Sequence, residues 1–198
     1  AASDVYKRQG WYTCACCPPN VVRLLMSLGK YLWSETEDGV YSHIPAGTEA
    51  HFDKMDVTVE SNYPWDGRVT YHITGKTEEE TILGIHIPSW VRPGSVQVRI
   101  NGKVKDITAD VEKGYLILKR VWENDEVELV FPMKIRKIYA NLKVREDAGC
   151  VAFMRGPMVY CFEGVDNPGL LQSYHIFEDA KMEEEVCKEG LLEGLSLI

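Results

Sequence analysis

Two hydrophobic periods divide the chain. From Val21 the apolar residues Val21, Leu24, Leu25, Leu28, Tyr31 and Leu32 recur at helical spacing, with Arg23, Ser27, Lys30 and Ser34 on the other side. Pro18 and Pro19 fix φ at a value that starts a helix, and Asn20 is placed to cap it. Glu35 to Gly39 is a polar break in which Asp38-Gly39 signals a turn. The period then becomes two. Met55, Val57 and Val59 alternate with Asp56, Thr58 and Glu60, and after a turn at Asn62 to Gly67 so do Val69, Tyr71 and Ile73 with their polar neighbours. The pattern returns at Leu83, Ile85 and Ile87, at Val96, Val98 and Ile100, at Leu116 and Leu118, and at Val127, Leu129 and Phe131. Asn101-Gly102 is the strongest hairpin signal. These strands, each with one apolar and one wet side, predict an antiparallel β-sandwich over 37–133. Phe131-Pro132 closes it, because Pro cannot donate to a ladder.

Beyond the sandwich, Lys134 to Tyr139 reads as a basic strand. Cys150 to Met154 and Met158 to Phe162 read as strands around an Arg155-Gly156-Pro157 turn. After Gly164 the signal fades into an acidic run, Glu183 to Glu185 and Glu189, that suits a solvated surface. The stretch 134–194 is therefore expected to be part of a second β-sandwich, with strand edges and apolar faces uncovered. There is no internal repeat.

The chemistry concentrates before the helix, in Cys14-Ala15-Cys16-Cys17-Pro18-Pro19-Asn20. Cys16 and Cys17 are not expected to bond to each other, since adjacent Cα atoms lie about 3.8 Å apart, closer than an unstrained disulfide prefers. A helix N-terminus offers unpaired N–H groups and a positive dipole end, which favour thiolate, the nucleophilic and metal-binding form. Cys16 and Cys17 are thus candidate zinc ligands, and one of them a candidate nucleophile. A structural zinc finger does not fit: Cys150, Cys161 and Cys187 are widely separated and the five histidines are scattered. The remaining ligands must lie far along the chain or outside it. Burial of the thiols as small apolar residues is the plain alternative.

Trp65 and Trp90, both beside prolines, are candidates for stacking on a sugar ring, although such residues more often lid a sandwich. His43, His51 and His86 fit structural roles better than metal ligation. Arg155, before Gly-Pro, is expected to anchor a turn.

Bulk properties narrow the classes. In 198 residues, 45% hydrophobic and 26% charged, there is room for one or two globular domains. A net charge of −8 with no basic stripe argues against nucleic-acid binding, and no apolar run reaches membrane-spanning length. Six cysteines are too few for a disulfide scaffold, which leans toward a reducing, cytoplasmic setting.

Trp11-Tyr12-Thr13-Cys14-Ala15-Cys16-Cys17-Pro18-Pro19-Asn20-Val21-Val22-Arg23 resembles the cysteine motif of glycoside hydrolase family 127, the β-L-arabinofuranosidase family. His86-Ile87-Pro88-Ser89-Trp90 and the run from Cys150 to Cys161 resemble later landmarks of that family, and the likeness extends from about Gly10 to about Gly194. The resemblance implies that Cys16 is a zinc-bound nucleophile and Cys17 a zinc ligand; it gives Cys14 no role. It further implies a retaining hydrolase acting on β-L-arabinofuranosides of plant origin. An (α/α)6 barrel upstream would supply a glutamate and a cysteine to the zinc, and the acid/base glutamate. Residues 10–36 would then be the last barrel helix with its cysteine motif, and the chain alone would be inactive. A homodimer of the full-length parent stays open. Residues 1–9 and 195–198 read as a non-native leader and tail. An accessory carbohydrate-binding or purely structural sandwich is the alternative reading.

Overall fold

The computed structural model describes residues 16–164, 167–187 and 194–197. The expected leader 1–9 and Cys14 lie outside them. Two short helices lead in, α1 (Cys17–Met26) and α2 (Gly29–Leu32). Strands then follow in chain order: β1 (Trp33–Thr36), β2 (Gly39–Ser42), β3 (Thr48–His51), β4 (Asp56–Ser61), β5 (Arg68–Thr74), β6 (Thr81–His86), β7 (Gln97–Ile100) and β8 (Lys103–Lys105). The remainder are β9 (Val111–Glu112), β10 (Tyr115–Arg120), β11 (Glu126–Val130), β12 (Ile135–Ile138), β13 (Ala152–Arg155), β14 (Met158–Tyr160), β15 (Glu184–Cys187) and β16 (Gly194–Leu197). The chain is mainly β, as its period-two runs predict.

Among the described residues one sheet has the order β1-β2-β6-β10-β9 and a second has β3-β4-β5-β11-β7-β8. Their facing sides make one core. In the second sheet, register aligns the apolar positions across strands: Val57 with Ile73, Val59 with Tyr71, Tyr71 with Val127, and Val69 with Leu129. In the first, Leu83 pairs with Leu118 on one side and Val40 on the other. All are buried, so the alternation marks the inner face on each strand. Val40, Leu83 and Leu118 belong to the same buried cluster as Val57, Tyr71 and Leu129, which joins the two sheets.

Two features depart from expectation. The sandwich is not wholly antiparallel, because β2 runs parallel to β6. And the helical region ends at Leu32: Trp33 to Thr36 form β1, hairpinned onto β2 through the Asp38-Gly39 turn. As an edge strand with three exposed residues, β1 carries no apolar alternation, so the sequence hides it. Asn101 and Gly102 make the tight β7–β8 turn, both at positive φ (51° and 74°).

Trp122 sits in the core with its backbone N–H donating to Thr77 Oγ1 at 2.9 Å and its indole to the Thr81 carbonyl at 2.8 Å. Nearby, the buried Asp125 accepts from the Asn101 side-chain amide at 2.6 Å and from the Glu123 N–H at 2.9 Å. This bond locks the β7–β8 turn onto the start of β11.

The strands expected after residue 134 form a sheet β12-β13-β14, and β15 pairs with β16. Arg155 joins this unit to the sandwich. Its side chain is 10% exposed, ion-pairs through Nε with Glu184, and donates through a terminal nitrogen to the Trp65 carbonyl at 2.9 Å. Arg155 is an anchor, but of the distant Asn62–Gly67 turn as well as its own neighbourhood. Next to it, Gly156 takes a positive φ of 56° and packs against the end of the Met133 side chain.

Candidate functional site

The site begins with two sulfurs. Cys16 takes the N-cap position of α1 with helical φ and ψ, and Cys17 is its first helical residue. Asn20 is not the cap. It lies inside the helix, where its N–H donates to the Cys16 carbonyl at 3.2 Å and its side-chain oxygen accepts from Arg23 at 2.9 Å. The prolines explain the shift. Pro18 and Pro19 need no amide partner, so they occupy the first turn, where other residues would leave donors unsatisfied. The same fact weakens the expected dipole effect, because two of the four N–H groups a helix start normally presents are missing here.

The two Sγ atoms lie 3.9 Å apart, well beyond bonding distance, and both residues are exposed. Two sulfurs on one tetrahedral zinc, each about 2.3 Å from the metal, stand roughly 3.8 Å apart. The pair therefore fits half of a zinc donor set. Among the described residues no His, Cys, Asp or Glu completes a group of three around them.

Other candidates are scattered. Cys150 and Cys161 are exposed thiols on the second β-unit, and Cys187 falls in β15. His43 is bonded at both ring nitrogens, to Tyr115 hydroxyl at 2.7 Å and Ser34 hydroxyl at 3.0 Å. His51 faces Asp56 at 2.9 Å on the surface. His86 packs its ring on Tyr115, centroids 5.2 Å apart. Trp90 is half-buried against Phe131 and under the Arg136 guanidinium, which suits a lid. Trp65 is 44% exposed on its turn.

Sequence reasoning passed over a cluster of rings on the outer side of the first sheet: Tyr41, His43, His86 and Tyr115. A signal was present, since Tyr41 and Tyr115 alternate with Val40 and Leu116 and so must face away from the core.

α1 has no buried residue; Val21 is 57% and Met26 84% exposed. Ten residues are too few for a stable isolated helix in water, so this apolar surface calls for a partner. No helix among the described residues is long and apolar enough to cross a membrane.

Comparisons with known proteins agree on one relationship. A family model described as "Beta-L-arabinofuranosidase, GH127 middle domain" matches residues 39–133, and one described as "Glycoside hydrolase family 127 C-terminal domain" matches residues 135–195. A non-reducing end beta-L-arabinofuranosidase of Bifidobacterium longum subsp. longum is 39% identical over 176 residues, which is 85% of this chain and 26% of that protein. The crystal structure of a GH127 beta-L-arabinofuranosidase from Geobacillus stearothermophilus T6 superposes with TM-score 0.84 at 41% identity, covering 96% of this chain and 30% of that one. A second GH127 structure, a beta-arabinofuranosidase, gives TM-score 0.83 at 34% identity over 98% of this chain and 33% of its own. The sandwich and the unit behind it are thus β-domains of a glycoside hydrolase type. The chain belongs to glycoside hydrolase family 127. It spans about a quarter to a third of the length of these relatives.

Proposed function

We propose that this chain is the nucleophile-bearing part of a retaining β-L-arabinofuranosidase, with Cys16 as nucleophile and Cys16 and Cys17 as zinc ligands. The observation that carries the reading is the sulfur pair, 3.9 Å apart and open to solvent at the start of α1. Cys16 sulfur attacks the anomeric carbon: a C–S bond forms, the glycosidic C–O bond breaks, and the leaving oxygen takes a proton from an acid that these residues do not supply. Water then attacks the same carbon, the C–S bond breaks, and the sulfur leaves as thiolate while the acid's conjugate base takes the water proton. Zinc, when bound, keeps sulfur deprotonated near neutral pH. Cys17 holds the second coordination position and so orients its neighbour.

The acid/base glutamate and the remaining ligands belong to the portion of the relatives that this chain does not span, so the chain by itself does not turn over substrate. α1 is the last helix of that upstream domain, which covers its exposed apolar residues. The solvent-accessible thiols of Cys17, Cys150 and Cys161 suit a reducing compartment.

The test uses the full-length parent and an aryl β-L-arabinofuranoside. Cys16→Ser is expected to lower kcat/KM by roughly 10³-fold or more, as loss of a nucleophile does. Cys17→Ser is expected to lower zinc content as well as rate. Undiminished hydrolysis by the Cys16→Ser protein removes Cys16 from the mechanism.

A further inference from the structure

On the outer side of the five-stranded sheet, two adjacent rows of side chains carry rings. Register sets Ser34 beside Tyr41, Tyr41 beside Gly84, and Gly84 beside Ile117. In the next row His86 lies beside Tyr115, and Tyr115 beside Glu112. The rings touch: Tyr41 and Tyr115 meet edge to face at 5.8 Å, His43 and Tyr115 likewise, and His86 leans on Tyr115 at 5.2 Å.

The array is held in place from below. A Cβ on Gly84 would come within 2.2 Å of the Tyr41 ring, so Tyr41 fills the space that a side chain would take. Tyr115 is fixed through its hydroxyl to His43, and His43 is fixed in turn by Ser34 and by its own N–H to the Leu32 carbonyl at 2.8 Å. A ligand meeting these rings would find them already ordered, which lowers the cost of binding. Two side chains of the array keep uncommitted polar atoms. The Tyr41 hydroxyl and both His86 ring nitrogens form no hydrogen bond among the described residues. Exposed Ser34 and Glu112 stand beside the rings in register.

We propose that Tyr41, His86 and Tyr115 form a binding subsite for a neutral sugar residue, apart from the Cys16–Cys17 pair. A sugar ring presents C–H groups on its faces and hydroxyls around its rim. The C–H face packs on the electron-rich face of an aromatic ring, while the rim hydroxyls need a donor and an acceptor. Neutral imidazole supplies one of each, and phenol supplies both in one atom. The ligand class follows from the glycosidase reading above, as a residue of an arabinose-bearing chain that is bound without being cleaved. The site does not depend on Cys16.

The test is saturation-transfer NMR on this chain, with methyl β-L-arabinofuranoside and with arabinan oligosaccharides as probes. Transfer to the sugar ring protons is expected. Tyr41→Ala and His86→Ala are each expected to weaken it about tenfold, the size of one ring contact. Tyr41→Phe is expected to retain stacking and lose only the hydroxyl's share. Weakening by Tyr41→Ala and His86→Ala, on the sheet rather than on α1, separates this site from the Cys16–Cys17 pair. Thermal unfolding of each variant confirms that the fold is intact. Absence of transfer to either probe, or transfer unchanged in folded Tyr41→Ala and His86→Ala, overturns the proposal. So does oxidative footprinting that shows Tyr41 and Tyr115 shielded in the sugar-free full-length parent, because the face would then be a contact between domains.

Discussion

Replacing Arg155 with Met tests how the second β-unit is held to the sandwich. The guanidinium is nine-tenths buried and makes two charged hydrogen bonds, one to Glu184 and one to the Trp65 carbonyl. Such bonds contribute about 1.5–3 kcal/mol each. Several effects offset that sum. Glu184 is 40% exposed, so water reclaims its carboxylate once the cation is gone, and methionine keeps most of the packing of the arginine stem. Removing the cation also removes its own desolvation cost. The net loss is expected to be about 2 kcal/mol. Glu184→Ala leaves the buried cation without its counter-charge and is expected to cost about as much, although it deletes a more exposed residue. Urea unfolding followed by tryptophan fluorescence measures both, with Trp65 on the turn that Arg155 holds. The double variant is expected to fall short of additivity by at least 1 kcal/mol, as contacting pairs do. Arg155→Met within about 0.5 kcal/mol of the native protein, the range of an ordinary surface change, refutes the reasoning. So does additivity of the two changes.

Two further outcomes follow from the sandwich. Gly39→Ala is expected to prevent soluble folding or to cost more than about 3 kcal/mol, because its Cβ would lie 2.1 Å from the Ile82 carbonyl oxygen, in the backbone of the paired strand, with nothing flexible to yield; soluble yield and a melting curve decide it. Burial pushes the Tyr71 hydroxyl far above the usual phenol range, and its bond to Ser42 only partly opposes this. The folded state therefore keeps a proton that the unfolded chain sheds above about pH 10, so stability present below that pH is lost as pH rises. Tyr71→Phe is expected to lose about 1.4 kcal/mol less than the native protein between pH 8 and 11, read from urea midpoints; parallel losses would exclude Tyr71 as the cause.

The sandwich was legible wherever burial is one-sided. Val57, Val59, Val69 and Tyr71 advertise their face because each polar neighbour points to water. The turn at Asn101-Gly102 was legible because its backbone requirement is local. What escaped reading depends on partners far along the chain. The parallel pairing of β2 with β6 leaves no mark on either strand. The partners of Arg155 stand 29 and 90 positions away. The cysteine pair drew attention because its reactive groups are adjacent, but the cap was misplaced: two prolines displaced the helix start from Asn20 to Cys16. The outer ring cluster went unseen because aromatic residues on the wet side of a strand look like ordinary surface until register brings four of them together.

The joint between α2 and β1 has a mechanical consequence. Leu32 is buried, and the N–H of His43 grips its carbonyl, so the helical arm springs from a clamped point on the sheet's edge. α1 alone extends that arm by about 15 Å. Each degree of pivot at the clamp carries the thiols about a quarter of an ångström, and an error of 1 Å at a reacting atom can slow a reaction about a hundredfold. On the proposed function, a few degrees of slack in a strand that performs no chemistry is enough to disarm the tip.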